Sequence, residues 1–491
     1  MAVWPRSARR GARGGERNAG EAHGPEPATA LTGNVSAQPE IYAKAAQDPV
    51  GFWADEARRL TWATPWSSPL DGGFPHPSWF AGGTLNVAVN CVDRHVDAGN
   101  GDRVALHWEG GPGDTRTITY RQLQADVCRA ANALAELGVE PDAAVAICMP
   151  PLPEAVVAML ACARLGARHH FIFPRPHAEV LTRLIRQTGA RLVISADGDR
   201  SPGTMGPLKP ALDEALGACP QVARVLIVRR TGWPIDWVKG RDVWWNDLVD
   251  RQPDSVVIRQ PGDSARMLLY SSAGFLTHVA ATHRLAFDVQ PDSDVCWYAA
   301  HPATMGSHAY AVYGALAGGA TCVLLEGPPV MTAQTSGRIN LRPVVADLKY
   351  ARCWDIIERY GVTILDLPPS LIQAIARSPG HPPAKRRLSS LRLLTSDIEA
   401  LELAGGRMLD PSACRSWRTA IGQDHIPFVT NWSNSLTGGI MLTPLPGMVG
   451  AIEPEEGAPC WSRFEGVFST GDKARRDCDG DLWMVPRSGD M

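Results

Sequence analysis

Along most of this chain, short apolar runs alternate with longer segments of helical period, and that alternation leaves few architectures open. AAVAICMP, RLVISA and ARVLIVRR, within residues 143–230, are near-continuous apolar runs of strand length. A strand with one wet face would instead alternate apolar and polar positions. Among them, ITYRQLQADVCRAANALAELGV places apolar residues at helical spacing and ends on Gly138, and PEAVVAMLACARLGA is a helix apolar nearly all round. DVCWYAA, GATCVLLEG, VTILDL, LRLLTS and PFVTNW continue the strand series between residues 294 and 432, interleaved with the helical segments YAVYGALAGG, CWDIIERYG and SLIQAIARS. Strands joined through helices of this length make βαβ crossovers, so the expected fold class is α/β, with parallel sheet covered on both faces in two layered βαβ subdomains.

Composition narrows the function classes. The chain has 491 residues, of which 45% are hydrophobic and 20% charged, room for two or three domains' worth of core. No apolar run reaches the roughly eighteen residues that cross a bilayer. The start MAVWPRSARRGARGGER lacks the apolar centre of a secretory leader, and Glu16, Glu21 and Glu26 argue against an organelle transit peptide. Residues 1–38 are Gly-, Ala- and Arg-rich without periodicity, so a disordered tail is expected there. A net charge of −3 gives no reason to expect a nucleic acid or a membrane as partner. The eleven cysteines are scattered without a CxxC pair, and Cys148 and Cys162 sit in apolar runs. They are expected as buried small hydrophobes in a reducing compartment, the cytoplasm.

Two stretches carry a family likeness. At the start, FWADEARRLTW (52–62) and WFAGGTLNVAVNCVDRH (79–95), and at the end FSTGDKARRDCDGDLWMVPRSGD (468–490), are each a long, specific pattern. They resemble the AMP-forming acyl-CoA synthetases of the adenylate-forming superfamily, acetyl-CoA synthetases above all. The resemblance implies ATP with Mg²⁺ and coenzyme A as cofactors, a small carboxylate or acyl ligand as partner, and a nucleotide lying between two α/β subdomains near strand carboxyl ends. It divides the chain into a tail (1–38), an N-terminal extension (39–100), first and second α/β subdomains (101–262 and 263–450), and a remnant of barrel and hinge (451–491). In the family, a small β-barrel lies between the ITPLPG-like and TGD motifs; here the connection is much shorter, and the barrel is expected to be largely deleted. The family's smaller C-terminal domain, which brings a catalytic lysine, is expected to be absent.

Motif by motif, the family's nucleotide contacts fall on Glu399, Trp432, Asn434, Thr437, Asp472 and Arg487, with Gly438 also kept. Asp472 would grip the ribose and Arg487 the phosphates. The phosphate loop is changed. Where the family has YTSGSTGKPKGVLHT, this chain has YSSAGFLTHVAATHR from Tyr270, with Phe275 and Leu276 for Thr and Gly and with Thr277 and Val279 for both lysines. Bulky side chains there would obstruct a nest of backbone amides, so an ordinary strand and loop is expected in its place. Leu436 stands for the Glu that would hold Mg²⁺, and Leu cannot ligate a hard cation. The adenine motif GSVGEP becomes TSDIEA, keeping Glu399 but placing Ile398 under the base. An AMP-like ligand stays open beside the ATP that the resemblance implies.

The family's carboxylate pocket corresponds to Thr304, Met305, Gly306, Ser307 and His308, with Ser433 in place of a Trp. Losing the indole leaves room for an acyl chain longer than acetate, or a void that Met305 partly fills. The coenzyme A arginines fall on Ser201 and Thr204, and FGGFSAE becomes FPRPHAE around Arg175. His278, His283, His301 and His308 map to the rim of the groove, but without a carboxylate or Cys at ligand spacing no metal site is expected. No GxSxG or HExxH motif supports a hydrolase. Three readings stay open: an acetyl-CoA synthetase-like acid–CoA ligase impaired or inactive in adenylation; a non-catalytic binding or scaffold protein, its exposed groove covered by a protein partner; or an enzyme repurposed to ATP-independent chemistry on a larger acyl substrate. The tail yields one direct test, because its composition provides no core. Limited proteolysis should remove about 35 residues without lowering the melting temperature; a protease-resistant tail would contradict this.

Overall fold

Apolar strands need cover on both faces, and the computed structural model supplies it with helices packed against two sheets. It describes residues 40–72, 78–111, 113–174, 177–200, 205–256, 266–267, 270–327, 346–376, 388–397, 426–434, 439–442, 473–476 and 482–485. Helices α1 (Glu40–Gln47) and α2 (Pro49–Ala57) lead into the hairpin β1 (Ser68–Asp71) and β2 (Ser78–Ala81). Then come β3 (Val104–Glu109), β4 (Thr115–Thr119), α3 (Tyr120–Glu136), β5 (Ala144–Cys148), α4 (Pro153–Leu165), β6 (Arg168–Ile172), α5 (Ala178–Thr188) and β7 (Leu192–Ala196). Short β8 (Gly198–Asp199) and β9 (Gly206–Pro207) precede α6 (Lys209–Leu216), β10 (Arg224–Val228), β11 (Asp242–Trp244) and α7 (Trp245–Val249). The second half holds β12 (Arg266–Met267), β13 (Tyr270–Ser271), α8 (Ser272–Ala286), β14 (Val295–Tyr298), α9 (Met305–Ser307), α10 (Ala315–Gly318) and β15 (Thr321–Leu325). It continues with α11 (Ala346–Tyr360), β16 (Ile364–Asp366), α12 (Pro369–Ala376), β17 (Leu393–Asp397), β18 (Phe428–Asn434), β19 (Gly439–Leu442), and the hairpin β20 (Lys473–Arg476) and β21 (Leu482–Val485).

One sheet has five strands in the order β11-β10-β7-β5-β6, all parallel. The other has eight, in the order β19-β18-β17-β16-β14-β15-β3-β4, parallel except for antiparallel pairs at its two edges. The fold is therefore α/β with a mixed second sheet rather than parallel throughout. Strand β3 lies parallel to β15, with Leu106 opposite Cys322. The β3–β4 hairpin thus joins strands that follow residue 262, and sheet membership does not follow chain order across that position. Helix α4 lies in the main core with nearly every residue buried. Helix α3 starts in a reciprocal capping box of Thr119 and Gln122 and is followed by Gly138 at φ +86°.

The stretch 87–100 is helical. It forms wide helical turns at Val89–Asp93 and Val96–Asn100. The Asn86 side chain explains the start: its Oδ1 accepts from the amides of Ala88 and Val89, while its Nδ2 donates to the Ala163 and Arg164 carbonyls. The described cysteines, Cys148 and Cys162 among them, are buried free thiols. Burial pushes both of those thiols up to about 12. Among the described residues, no helix is long and apolar enough to cross a membrane. The tail 1–38 and the connection across 443–472 lie outside the described residues.

One buried ion pair joins the ends of the two sheets. Glu326, just past β15, is 0% exposed, and its carboxylate accepts from Arg230 beyond β10 at 2.5–3.0 Å and from the backbone amides of Gly111 and Arg200 at 3.3 Å. Arg230 also pairs with Asp114 at 2.7 Å and lies over the Trp108 ring. Removing the carboxylate would leave a guanidinium short of a partner inside the junction. Glu326→Ala should therefore lower unfolding stability by about 3–5 kcal/mol. Urea denaturation measures this, and a loss under about 1 kcal/mol would mean that solvent reaches the pair.

Candidate ligand site at the carboxyl ends of the strands

In open α/β sheets, side chains just past the strand carboxyl ends face a crevice in which ligands bind. Here β18, β17, β16 and β14 are neighbours, and their ends carry Ser433, Asp397, Asp366 and the turn 299–308. The Ser433 hydroxyl donates to the Asp397 carboxylate, with its oxygen 2.6 and 2.8 Å from the two acceptor atoms. Asp397 is half-buried and lies directly on Gly306: a Cβ added there would sit 2.2 Å from its Oδ2. Any side chain at 306 would push the carboxylate away. Behind it, Asp366 is buried and accepts from the Thr395 hydroxyl at 2.7 Å, and burial pushes its carboxyl up to about 6 against that bond.

The turn that carries Gly306 is knitted into the framework. The Ala303 amide donates to His301 Nδ1, the Thr304 hydroxyl to the His301 carbonyl, and the Ser307 hydroxyl to the Ala300 carbonyl. His308 turns away from Asp397 into the core, where it stacks on His169 of β6 at 5.3 Å and donates from Nδ1 to the Pro302 carbonyl. Helical residues one or two positions apart point in different directions, which is why Gly306 and His308 part company.

The segment expected to form a strand and loop after Tyr270 is instead a short strand running straight into the fifteen-residue helix α8. Ser271 caps it, accepting from the Gly274 amide. Phe275, Leu276, Thr277 and His278 are buried within it. Past Gly274 the run has neither Gly nor Pro to break it, and its apolar residues pack toward the helical segment 308–314 and toward α2, so helix is the better-buried state. Three of the histidines expected at the rim, His278, His283 and His308, are interior, and His301 is half-buried. His283 shares a hydrogen bond with the Tyr298 hydroxyl at 2.6 Å, His278 packs on Trp53, and His301 lies between Phe171 and Phe173. Burial pushes His278, His283 and His301 down to about 3 and His308 to about 4. Among the described residues, no group of three or more His, Cys, Asp or Glu could hold a metal ion.

With this geometry in view, residues 92–447 match the AMP-binding enzyme family and residues 38–91 the acetyl-coenzyme A synthetase N-terminus family. The chain is 38% identical to the acetyl-coenzyme A synthetase of Streptomyces avermitilis and 39% identical to that of Streptomyces coelicolor, in each case over 95% of this chain and 77% of the relative. This chain belongs to the AMP-binding enzyme family, in its acetyl-coenzyme A synthetase branch. Against the acetyl-coenzyme A synthetase of Mycolicibacterium smegmatis it is 38% identical over 95% of itself and 55% of the relative. In fold, this AMP-binding family member is similar to acetoacetyl-CoA synthetase from Streptomyces lividans, with a TM-score of 0.71 at 21% identity over 89% of this chain and 64% of that one. The chain thus spans under two thirds of that neighbour's length.

Of the residues matched to the family's nucleotide contacts, Glu399, Thr437, Gly438, Asp472 and Arg487 lie outside the described residues, as do Leu436, Arg175, Ser201 and Thr204. Trp432 and Asn434 contribute backbone to β18, and their side chains lie outside the description. Of the pocket residues, Gly306 and Ser433 come together, while Thr304 and Met305 sit on the same turn. Asp397 is the residue that sequence reasoning passed over. Its signal was visible as a lone acid closing the apolar run LRLLTS, where a buried parallel strand meets its ligand end.

The buried imidazoles carry a pH consequence. A histidine whose folded value is lowered keeps its stability contribution above about 6.5 and loses it as the pH falls toward the folded value, by about 1.4 kcal/mol per unit. Asp366, raised to about 6, acts in the opposite sense, losing stability as the pH rises through that value. Four histidines outweigh one carboxyl, so unfolding stability should fall steeply from pH 6.5 to 4.5. Thermal unfolding across that range checks it, and a flat profile would contradict neutral rings at these four positions, three of them buried.

Proposed function

We propose that this chain is an acetyl-CoA synthetase-like, AMP-forming ligase by ancestry that keeps the small-acid site at the strand ends but is impaired or inactive in ATP-dependent adenylation. The observation that carries the reading is α8. The segment matched to the family's phosphate loop is helical from Ser272, with Phe275 and Leu276 buried and Thr277 and Val279 in place of lysines. A helix uses its amides internally after the first turn, so it has few left to wrap a polyphosphate. ATP carries about four charges whose desolvation needs nearby cations, and these residues do not fit that load. Leu436 at the position of the family's magnesium carboxylate supports the same conclusion.

In this reading the ATP, Mg²⁺ and coenzyme A implied by the family are not used together as a full set. Glu399, Trp432, Asn434, Thr437, Asp472 and Arg487 are assigned to an AMP-like moiety instead. Thr304, Met305, Gly306 and Ser433 are assigned to the acid pocket, and His308, expected there, stacks on His169 in the core instead. The shortened connection after ITPLPG-like GIMLTPLPG fits loss of the barrel, and the free buried thiols fit a cytoplasmic address. A non-catalytic binding role is the second reading, favoured by the bond between Ser433 and Asp397, which fills the pocket with a polar pair rather than an apolar wall.

ATP–pyrophosphate exchange tests the proposal, with acetate, propionate and longer acids as substrates and the Streptomyces coelicolor relative as control. Loss of one preorganised electrostatic support commonly costs about 10²–10³ in rate, so losing both the loop and the carboxylate should leave exchange at least about 10⁴-fold below the control. Exchange within about a hundredfold would overturn it.

A further inference from the structure

We infer that Tyr310 is a positioning residue for the candidate site: through its hydroxyl, α8 holds in register the strand pair β18–β19, which carries Trp432, Ser433 and Asn434. The inference rests on the preceding reading only for what binds there, an AMP-like moiety. β19 is four residues long and outermost in its sheet, and its pairing with β18 shifts between Trp432 and Ser433. A short, irregular edge strand specifies its own register weakly. Amides on its outer side also need partners from outside the sheet.

Tyr310 supplies one. Its hydroxyl accepts from the Ile440 amide at 2.7 Å, and Ile440 stands opposite Ser433 in the strand pair. The same hydroxyl lies 2.9 Å from the Thr282 hydroxyl of α8. Thr282 donates its single proton to the His278 carbonyl at 2.7 Å, so the proton between the two hydroxyls comes from Tyr310. A directed chain therefore runs from the edge strand through Tyr310 into the body of α8. The Tyr310 ring is in no position to follow a slipping strand, because it is buried, parallel to His283 at 6.2 Å and packed on Phe287 at 5.3 Å. Contact at the start of β19 is equally close. A Cβ on Gly439, which pairs with Asn434, would come within 2.8 Å of the Tyr310 hydroxyl and 2.9 Å of the His278 ring. The helix thus bears on bare strand backbone there, and a change in α8 reaches the strand that carries Ser433 without any of these groups touching a ligand.

Hydrogen–deuterium exchange of the full chain tests this with Tyr310→Phe, which keeps the ring and removes the hydroxyl. Exchange in the peptide spanning 428–442 should quicken about tenfold, the size of one hydrogen bond, while peptides over β5 and β7 stay as slow as before. Thr282→Val breaks the chain one step back, on α8, and should quicken the same peptide to a lesser degree; it serves if the Phe variant does not fold. Calorimetric titration with AMP then reads the site, and Tyr310→Phe should weaken binding by about threefold to tenfold. Unchanged exchange across 428–442 would overturn the inference. A rise shared equally by β5 and β7 would overturn it too, because general loss of stability produces that pattern. AMP bound as tightly by Tyr310→Phe as by the parent chain would overturn the link to the site. No AMP binding by the parent chain would overturn the AMP-like reading, and the exchange results would then decide the inference on their own.

Discussion

A parallel strand with apolar side chains on both faces cannot stay in water on either side, and that demand governs the rest of this fold. β5, β7 and β15 are buried along their whole lengths, so helices must lie on each side of them. α4 sits so deep that it has almost no wet face of its own. In such a core a polar group is tolerated where its bonds are complete, which leaves the strand ends as the natural place for charge. Glu326, Asp366 and Asp397 all stand there, each closing or following a buried strand. The site is where it is because the strands could not carry charge elsewhere.

The same demand explains how much could be read from residues alone. Continuous apolar runs such as AVAIC and LVISA announce strands buried on both faces, and the helices between them follow. Edge strands are harder: TRTIT of β4 alternates weakly, and although its partner β3 is a chain neighbour, the sheet that this hairpin joins begins only at the distant β15. The helical turns after Asn86 were hidden because they depend on one amide side chain bridging to α4, a tertiary contact that no local pattern encodes. α8 was hidden for another reason. A family pattern suggested a loop, while the residues themselves, Ala-rich and free of breakers past Gly274, already favoured helix. Local composition was the better guide there.

The histidines show how spacing misleads when burial is unknown. Four imidazoles near one groove suggest a rim or a ligand set, yet each lies among aromatic rings or carbonyls, as with His283 on Tyr298 and His308 on His169. A neutral imidazole is a flat, half-polar ring that fills space between aromatics, and His283, His301 and His308 each make one bond besides. Their depressed basicity follows from burial and needs no functional cause.

Charge at the groove follows from these placements. A site for a polyanion needs donors and cations converging from several elements. Here the segment from Ser272 spends its amides on its own helix, Thr277 is buried where a lysine could have stood, and the adjoining strand ends present a carboxylate held by a hydroxyl. Helix and carboxylate are independent features, on different elements and with different causes, and both lower the positive potential that a triphosphate requires.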